Sequence, residues 1–136
     1  MYKVYSIMYK VFSSLVVLFL LIVSTGTVNA QTSLEQRILY QPDSVSVRES
    51  QHGQLEMMAA YMKSHPDANV IVAGFVSPLT TPSRRDYVAQ ERANQVARML
   101  SEQYGIDSAR LIPIGVGIGK RYVEQEFNEV VSFFRQ

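Results

Sequence analysis

The six residues VIVAGF, at positions 70–75, constrain the fold of this chain more than any other segment. They are apolar, short and rich in β-branched side chains, which is typical of a strand buried on both faces. A helix is predicted before this strand, over residues 48–65, because its apolar residues fall at helical spacing. Those residues are Leu55, Met58, Ala59 and Met62. A buried strand next to an amphipathic helix predicts a sheet with helices packed against it.

A second and longer helix follows the strand. Pro82 suits a first helical turn, and Ser83 with Asp86 three residues later resembles a capping box. The helix is predicted to run to about Tyr104, where Gly105 provides a left-handed terminator. It contains Arg92.

Three further short strands are predicted, over residues 37–40, 110–117 and 129–134, after a polar lead-in at 31–36. Pro113 argues for an edge position or an irregularity of its strand, because proline cannot donate a backbone hydrogen bond. The order is β-α-β-α-β-β, which predicts an α+β fold. We expect a two-layer α/β sandwich with a mixed sheet and both helices on one side. Right-handed crossovers favour parallel pairing among the first three strands wherever they are neighbours.

The N-terminus resembles a secretory signal. Lys3 and Lys10 precede an almost unbroken apolar run at residues 11–23, and the small residues VNA stand before Gln31. This pattern predicts a signal peptide over residues 1–30, cleaved after Ala30, and a single domain over 31–136. The alternative is an uncleaved anchor, since residues 24–28 bring the run close to the ~20 apolar residues that a membrane span needs. Membrane association is expected only in that case.

Loss of the signal would change the charge balance of the chain. Removing Lys3 and Lys10 from the 13 basic residues leaves 11 against 12 acidic residues, so the formal charge moves from +1 to −1. The two remaining basic pairs, at 84–85 and 120–121, are interpreted as solvated faces rather than a nucleic-acid surface. Nucleic acid is therefore not an expected partner.

The residues that enzymes use for chemistry are scarce. The chain has no cysteine, which excludes a thiolate metal site and a cysteine nucleophile. The glycines of GVGIG, residues 115–119, are interpreted as a turn that needs glycine dihedrals rather than a phosphate loop. His52 and His65 lie near helix ends, where we expect them to be exposed and too isolated to form a metal site. We expect no catalytic residue, no metal and no cofactor.

Arg92 lies on the flank of the apolar stripe of the second helix, near Val88. One interpretation is that its guanidinium reaches water past Val88, as arginines beside apolar surface commonly do. The other is that the helix places it against the end of strand 70–76, where a guanidinium can bind a carboxylate. Physical reasoning alone favours the first interpretation.

The sequence resembles the OmpA-like peptidoglycan-binding domain. That family has a strand ending in G-H-T-D, then a loop with an asparagine, then the pattern L-S-x-x-R-A-x-x-V, a G-I-x-x-x-R-L turn into a strand, and then G-x-G. The resemblance covers residues 37–117 well and 118–136 poorly. The matching residues, in order, are Gly74, Arg92-Ala93, Val96, Gly105-Ile106, Arg110-Leu111, Gly115 and Gly117.

The resemblance implies a ligand and a site. Domains of this family bind the peptide stem of peptidoglycan, and an arginine and an aspartate hold the carboxylate and the ammonium of diaminopimelate. Arg92 takes the arginine position, Ser77 the aspartate position, Arg85 the asparagine position, and Val88 the leucine position of L-S. Asp86 is the candidate substitute for the missing acid.

Two departures from the family pattern bear on function. Ser77 carries no charge for an ammonium group, and the family's N-R-R-V near the C-terminus reads NEVV here, from Asn128 to Val131. We therefore expect a non-catalytic envelope module, in the periplasm or on the periplasmic face of the outer membrane, with a weakened or altered peptidoglycan site. The alternative is a degenerate OmpA-like fold that binds envelope proteins instead.

Overall fold

The computed structural model describes residues 32–136. The predicted signal peptide, residues 1–30, lies outside the described residues, so its cleavage and the domain boundary stay predictions. The strands are β1 (Thr32–Leu39), β2 (Val70–Val76), β3 (Leu111–Ile118) and β4 (Val130–Arg135), and the α-helices are α1 (His52–Ser64) and α2 (Arg85–Tyr104). None of the helices from Thr32 onward is long and apolar enough to cross a bilayer.

The four strands of the described region form one mixed sheet in the order β1-β4-β2-β3. Strands β2 and β3 are parallel, as predicted, while β4 pairs antiparallel with both β1 and β2. The C-terminal strand therefore lies between the first two strands of the chain. The predicted fold class is confirmed, and β3 with Pro113 lies at an edge of the sheet, as the proline indicated.

Both helices pack on one face of the sheet. The main core joins apolar residues of α1 and α2 to side chains that alternate along β2 and β4. From the sheet these are chiefly Val70, Val72, Val131 and Phe133, all buried. Burying these side chains supplies the main favourable free energy of folding, because apolar area leaves water.

Helix α2 lies unusually close to the sheet at two glycines. A Cβ built on Gly74 would lie 1.9 Å from the carbonyl oxygen of Ala89, and one on Gly115 would lie 2.7 Å from the backbone nitrogen of Gln90. Glycine is required at both positions because any side chain would meet the helix backbone. This close approach places Arg92, one turn further along α2, at the end of β2.

Several local expectations were wrong. Strand β1 begins at Thr32, so most of the predicted lead-in belongs to the strand. Ser83 and Asp86 form no capping box, because a 3₁₀ turn over Pro82–Arg84 precedes α2 and the helix has no side-chain cap. The end of α2 is as predicted, with Gly105 in the left-handed region at φ 71°.

The glycine-rich segment after Pro113 is strand rather than turn. Residues 115–118 belong to β3, and the register between β2 and β3 shifts between Gly74 and Phe75. Gly117 has φ 106° at this irregularity, a conformation that glycine adopts without strain. The interpretation of GVGIG as a turn is therefore wrong, although one of its glycines does need a special dihedral.

The two histidines are half-buried rather than exposed, which corrects the expectation from their polar surroundings. His65 stacks on the ring of Tyr61, with 4.2 Å between ring centroids. No group of three or more metal-ligating side chains occurs between Thr32 and Gln136.

Candidate functional site

The guanidinium of Arg92 is buried inside the protein. Its residue is 0% exposed, which overturns the interpretation that the side chain reaches water. Nε donates to the carbonyl of Ser44 at 2.7 Å, one terminal nitrogen to Phe75 at 2.8 Å, and the other to Gln41 at 2.9 Å. The contact with Phe75 confirms that α2 places Arg92 against the end of β2.

The partner of Arg92 is Glu129, an acid that sequence analysis did not single out. Arg92 donates to Oε2 of Glu129 at 2.8 Å, and both residues are 0% exposed. Glu129 directly precedes β4, in the stretch where the family's N-R-R-V reads NEVV. An acid therefore stands where the family has an arginine, and it forms the ion pair of the site.

Two groups of the loop after β2 complete the surroundings of this carboxylate. The hydroxyl of Thr80 lies 2.7 Å from both carboxylate oxygens and donates to them. The backbone N–H of Ser77 donates to Oε1 of Glu129. Hydrogen bonds to a buried carboxylate offset the loss of its hydration. Ser77 thus contributes through its backbone, and its hydroxyl accepts instead from the N–H of Leu79 at 3.0 Å.

Tyr40 covers the guanidinium from the β1 side. The guanidinium carbon of Arg92 lies 4.5 Å from the centre of the Tyr40 ring, within the range of a cation–π contact. Burial raises the pKa of Tyr40 above its ordinary value, because the phenolate would be poorly solvated, and the charge of Arg92 opposes this only in part. Burial likewise lowers the pKa of Arg92, and Glu129 opposes that change.

The loop after β1 is tied to the loop after β2. Asp43 accepts from the N–H and the hydroxyl of Thr81, at 3.1 and 3.0 Å, and forms an ion pair with Arg84 at 3.4 Å. Its own N–H donates to the hydroxyl of Thr80 at 3.1 Å. The positive φ of Asp43, 64°, is tolerated better by aspartate than by most residues. These bonds close the loops over the buried ion pair.

The other predicted site residues lie around this centre with separate roles. Arg85 donates to the carbonyls of Thr80 at 3.1 Å and Pro78 at 2.9 Å, and so braces the loop. Val88 is buried in a small apolar cluster with Val76 and Ala89. Asp86 is exposed in the first turn of α2. The structure therefore brings Ser77 and Arg92 together through Glu129, while Asp86 stays at the surface.

Sequence reasoning missed Glu129, Thr80, Tyr40 and Asp43. The available signal for Glu129 was its place immediately before an apolar strand, in a motif position where the family has a basic residue. Thr80 belongs to a loop of ordinary composition. Chemically, the arrangement is a buried guanidinium–carboxylate pair held by neutral donors and backbone carbonyls.

A separate cleft of about 270 Å³ opens beside the end of β2 and the segment that leads to β4. Its lining includes the aromatic side chains of Phe75, Tyr122 and Phe134 and the basic residues Lys120 and Arg121. Asn128 fixes this segment, because its side chain bonds both the N–H and the carbonyl of Tyr122, at 3.1 and 2.9 Å.

Known proteins share this fold. The profile of the OmpA family matches residues 39–133, and the chain belongs to the OmpA family. The resemblance inferred from Gly74, Arg92-Ala93 and the later glycines is thereby confirmed.

The relatives are proteins of the bacterial envelope. The chain is 27% identical over 75 residues to outer membrane porin F of Pseudomonas aeruginosa, a match that covers 55% of this chain and 21% of that porin. The chain thus spans about a fifth of this curated relative.

Solved structures share the fold. The peptidoglycan-associated lipoprotein of Burkholderia pseudomallei is similar with a TM-score of 0.65 and 24% identity, covering 75% of this chain and 91% of that one. The cell wall anchor of the T6SS from Pseudomonas aeruginosa is similar with a TM-score of 0.59 and 19% identity, covering 84% and 92%. At these identities the likeness establishes the fold.

Proposed function

We propose that this protein is a non-catalytic envelope module that contacts the peptide stems of peptidoglycan in the periplasm. The observation that carries the proposal is the set of donors around one carboxylate: the Arg92 guanidinium, the Ser77 N–H and the Thr80 hydroxyl. This carboxylate is that of Glu129, and the same set suits a carboxylate of a stem peptide when the Glu129 side chain moves out, because charge-assisted hydrogen bonds are the strong ones. Membership of the OmpA family and the names of the similar proteins support the same assignment.

The proposed site is altered on the side that would hold an ammonium group. Ser77 is neutral, and Glu129, the nearest carboxylate to Arg92, is already paired. Asp86 is exposed on the first turn of α2, beside Arg85 and close in sequence to the loop. We assign it the role of attracting the ammonium of the stem peptide, at a solvent-exposed position where such attraction is weak.

Co-sedimentation with purified sacculi tests the proposal. We expect the protein to sediment with intact sacculi at low salt and to stay in solution with sacculi whose stem peptides an amidase has removed. Asp86→Asn should weaken binding a few-fold, whereas Glu102→Gln, an exposed carboxylate near the other end of α2, should bind as the unchanged protein does. Equal binding to intact and stripped sacculi would contradict a contact with the peptide stem.

A second candidate is a protein-interaction subunit of the envelope. Its support is the edge strand β3, where three apolar side chains are exposed: Ile114 at 41%, Val116 at 54% and Ile118 at 41%. Exposed apolar side chains that cluster on a surface mark interaction sites. A photo-crosslinking residue at Val116 should then capture an envelope protein, and one at Glu102 should not. Capture of muropeptides instead of protein, or equal capture at both positions, would remove this candidate.

A further inference from the structure

The carboxylate of Glu129 lies among donors that do not depend on it for their placement. Ser77, Thr80 and Arg92 belong to one local unit, which comprises the end of β2, the following loop and the first half of α2. Three backbone carbonyls, those of Gln41, Ser44 and Phe75, hold the guanidinium from other sides. The orientation of Arg92 is therefore determined without Glu129, and the terminal nitrogen that bonds Gln41 has a second N–H that can donate to a carboxylate.

Glu129 reaches this place from a distant part of the chain. It is separated from Arg92 by 37 positions and from Ser77 by 52. Its backbone has its own attachment, because the N–H of Tyr40 donates to the Glu129 carbonyl at 2.9 Å. Only the side chain of Glu129 bonds to the three donors, in the way that the carboxylate of a separate ligand would.

We infer that Arg92, the Ser77 N–H and Thr80 form a carboxylate-binding site that the chain's own Glu129 fills, and that Glu129 excludes external carboxylates from it. All four residues are 0% exposed, so no free carboxylate has access while Glu129 is in place. The ligand class is a small carboxylate, including the carboxylate of a peptide. The inference extends the proposed function, and its link to peptidoglycan rests on that function. For a stem peptide to reach Arg92, the Glu129 side chain has to move out of the site.

The size of the site follows from the side chain that fills it. Glu129→Ala removes Cγ, Cδ and both carboxylate oxygens, which are the four heavy atoms of acetate. The variant keeps the backbone bond to Tyr40 and leaves the three donors facing a space of acetate size. A buried guanidinium without a counter-ion is costly, and a bound acetate removes that penalty.

Thermal unfolding of the full chain in acetate tests the inference. Glu129→Ala should melt well below the unchanged protein in chloride, and about 100 mM acetate should raise its Tm by about 5 °C relative to chloride of equal ionic strength. The unchanged protein and Glu126→Ala, which removes an exposed carboxylate from the turn before Glu129, should melt alike in the two salts. Glu129→Gln should not respond to acetate either, because the amide still fills the space.

Two results would overturn the inference. One is an acetate shift in Glu129→Ala no larger than that of Glu126→Ala. The other is a Glu129→Ala protein that stays unfolded in acetate as well as in chloride, since acetate is expected to restore its far-UV circular dichroism.

Sacculus binding by the same variants separates this inference from the proposed function. If both hold, Glu129→Ala sediments with sacculi more than the unchanged protein, and acetate competes. An acetate response without any sacculus binding supports the filled carboxylate site and contradicts peptidoglycan as its ligand. Sacculus binding without an acetate response supports the proposed function and overturns the role of Glu129.

Discussion

At the scale of single residues, the buried Arg92–Glu129 pair is expected to be sensitive to substitution. Breaking a buried ion pair by removing one partner leaves an uncompensated charge, which destabilises by about 3–5 kcal/mol. We therefore expect Glu129→Ala to lower the free energy of unfolding by that amount in urea denaturation without acetate. Glu126→Ala should change it by less than about 0.5 kcal/mol, as exposed substitutions usually do. A similar small effect for both variants would show that the pair contributes little to stability.

The hydroxyl of Tyr40 is the second sensitive group. It is buried and has no hydrogen-bond partner among residues 32–136. A buried donor without a partner costs about 1–3 kcal/mol, so Tyr40→Phe should stabilise the protein by about 1 kcal/mol at neutral pH. The phenylalanine ring keeps its face towards Arg92.

Tyr40 should also affect stability at high pH. Its folded-state pKa is raised, so its contribution is fully present below the unfolded-state value of about 10 and declines as the pH rises above it. Tyr40→Phe should make the loss of stability above about pH 10 less steep in urea titrations at successive pH values. Tyr87→Phe is the control, because Tyr87 is 59% exposed. An equal change of slope in both variants would contradict the burial argument.

Of the two charged residues at the centre of the candidate site, sequence analysis singled out only Arg92. The position of Arg92 against the strand end was one of two interpretations of the sequence, and physical reasoning alone favoured the other, in which the side chain reaches water. The structure confirms the position at the strand end. Periodicity does not indicate Glu129, whose available signal was its place before an apolar strand at a basic position of the family motif. That signal does not distinguish an acid that turns inward from one that stays in water. The burial of Glu129 depends on partners that are 37 and 52 positions away.

At the scale of elements, the contact between α2 and the sheet depends on Gly74. Alanine there would place its Cβ 1.9 Å from the carbonyl oxygen of Ala89, so the helix or the strand must move. Overpacking of this kind costs about 1–3 kcal/mol or more, and we expect Gly74→Ala to fall at or above the upper value. Gly53→Ala is the matched control. Its Cβ would meet nothing within 4 Å, and alanine in α1 should stabilise by about 0.5–1 kcal/mol.

Urea denaturation measures the change in the free energy of unfolding for both substitutions. If Gly74→Ala destabilises the protein and Gly53→Ala stabilises it, glycine is required at position 74 for steric reasons, and the usual gain from replacing glycine with alanine does not apply there. A stabilising Gly74→Ala would show that α2 can withdraw from the sheet without loss.

Element boundaries were predictable where apolar periodicity is strong and were missed where it is weak. The strand β2 and the end of α2 follow from the sequence VIVAGF and from Gly105. The first half of β1 was not predicted, because Ser33, Glu35 and Arg37 are exposed on an edge strand and the apolar pattern of such a strand is weak. The start of α2 was predicted incorrectly, because a 3₁₀ turn precedes the helix in place of a side-chain cap.

At the scale of the whole molecule, the order β1-β4-β2-β3 makes the last strand of the chain an interior strand of the sheet. Sequence order favours neighbours along the chain, and it correctly predicted the parallel pair β2–β3. The insertion of β4 between β1 and β2 depends on long-range pairing, from Ile38 with Val131 on one side to Val72 with Phe133 on the other. The same insertion brings Glu129 to Arg92.

This topology predicts that the C-terminus is indispensable for folding. A chain ending at Asn128 loses both β4 and Glu129, so β1 has no partner strand in the described sheet and Arg92 has no counter-ion. We expect no cooperative thermal transition by circular dichroism and no slowly exchanging amides in β2. Removal of Gln136 alone deletes one backbone bond to Asn69 and should leave a cooperative transition within a few degrees of the unchanged protein. Cooperative unfolding of the chain ending at Asn128 would mean that the remaining strands form a stable sheet without β4. The position of β4 between β1 and β2 would then not be essential for folding.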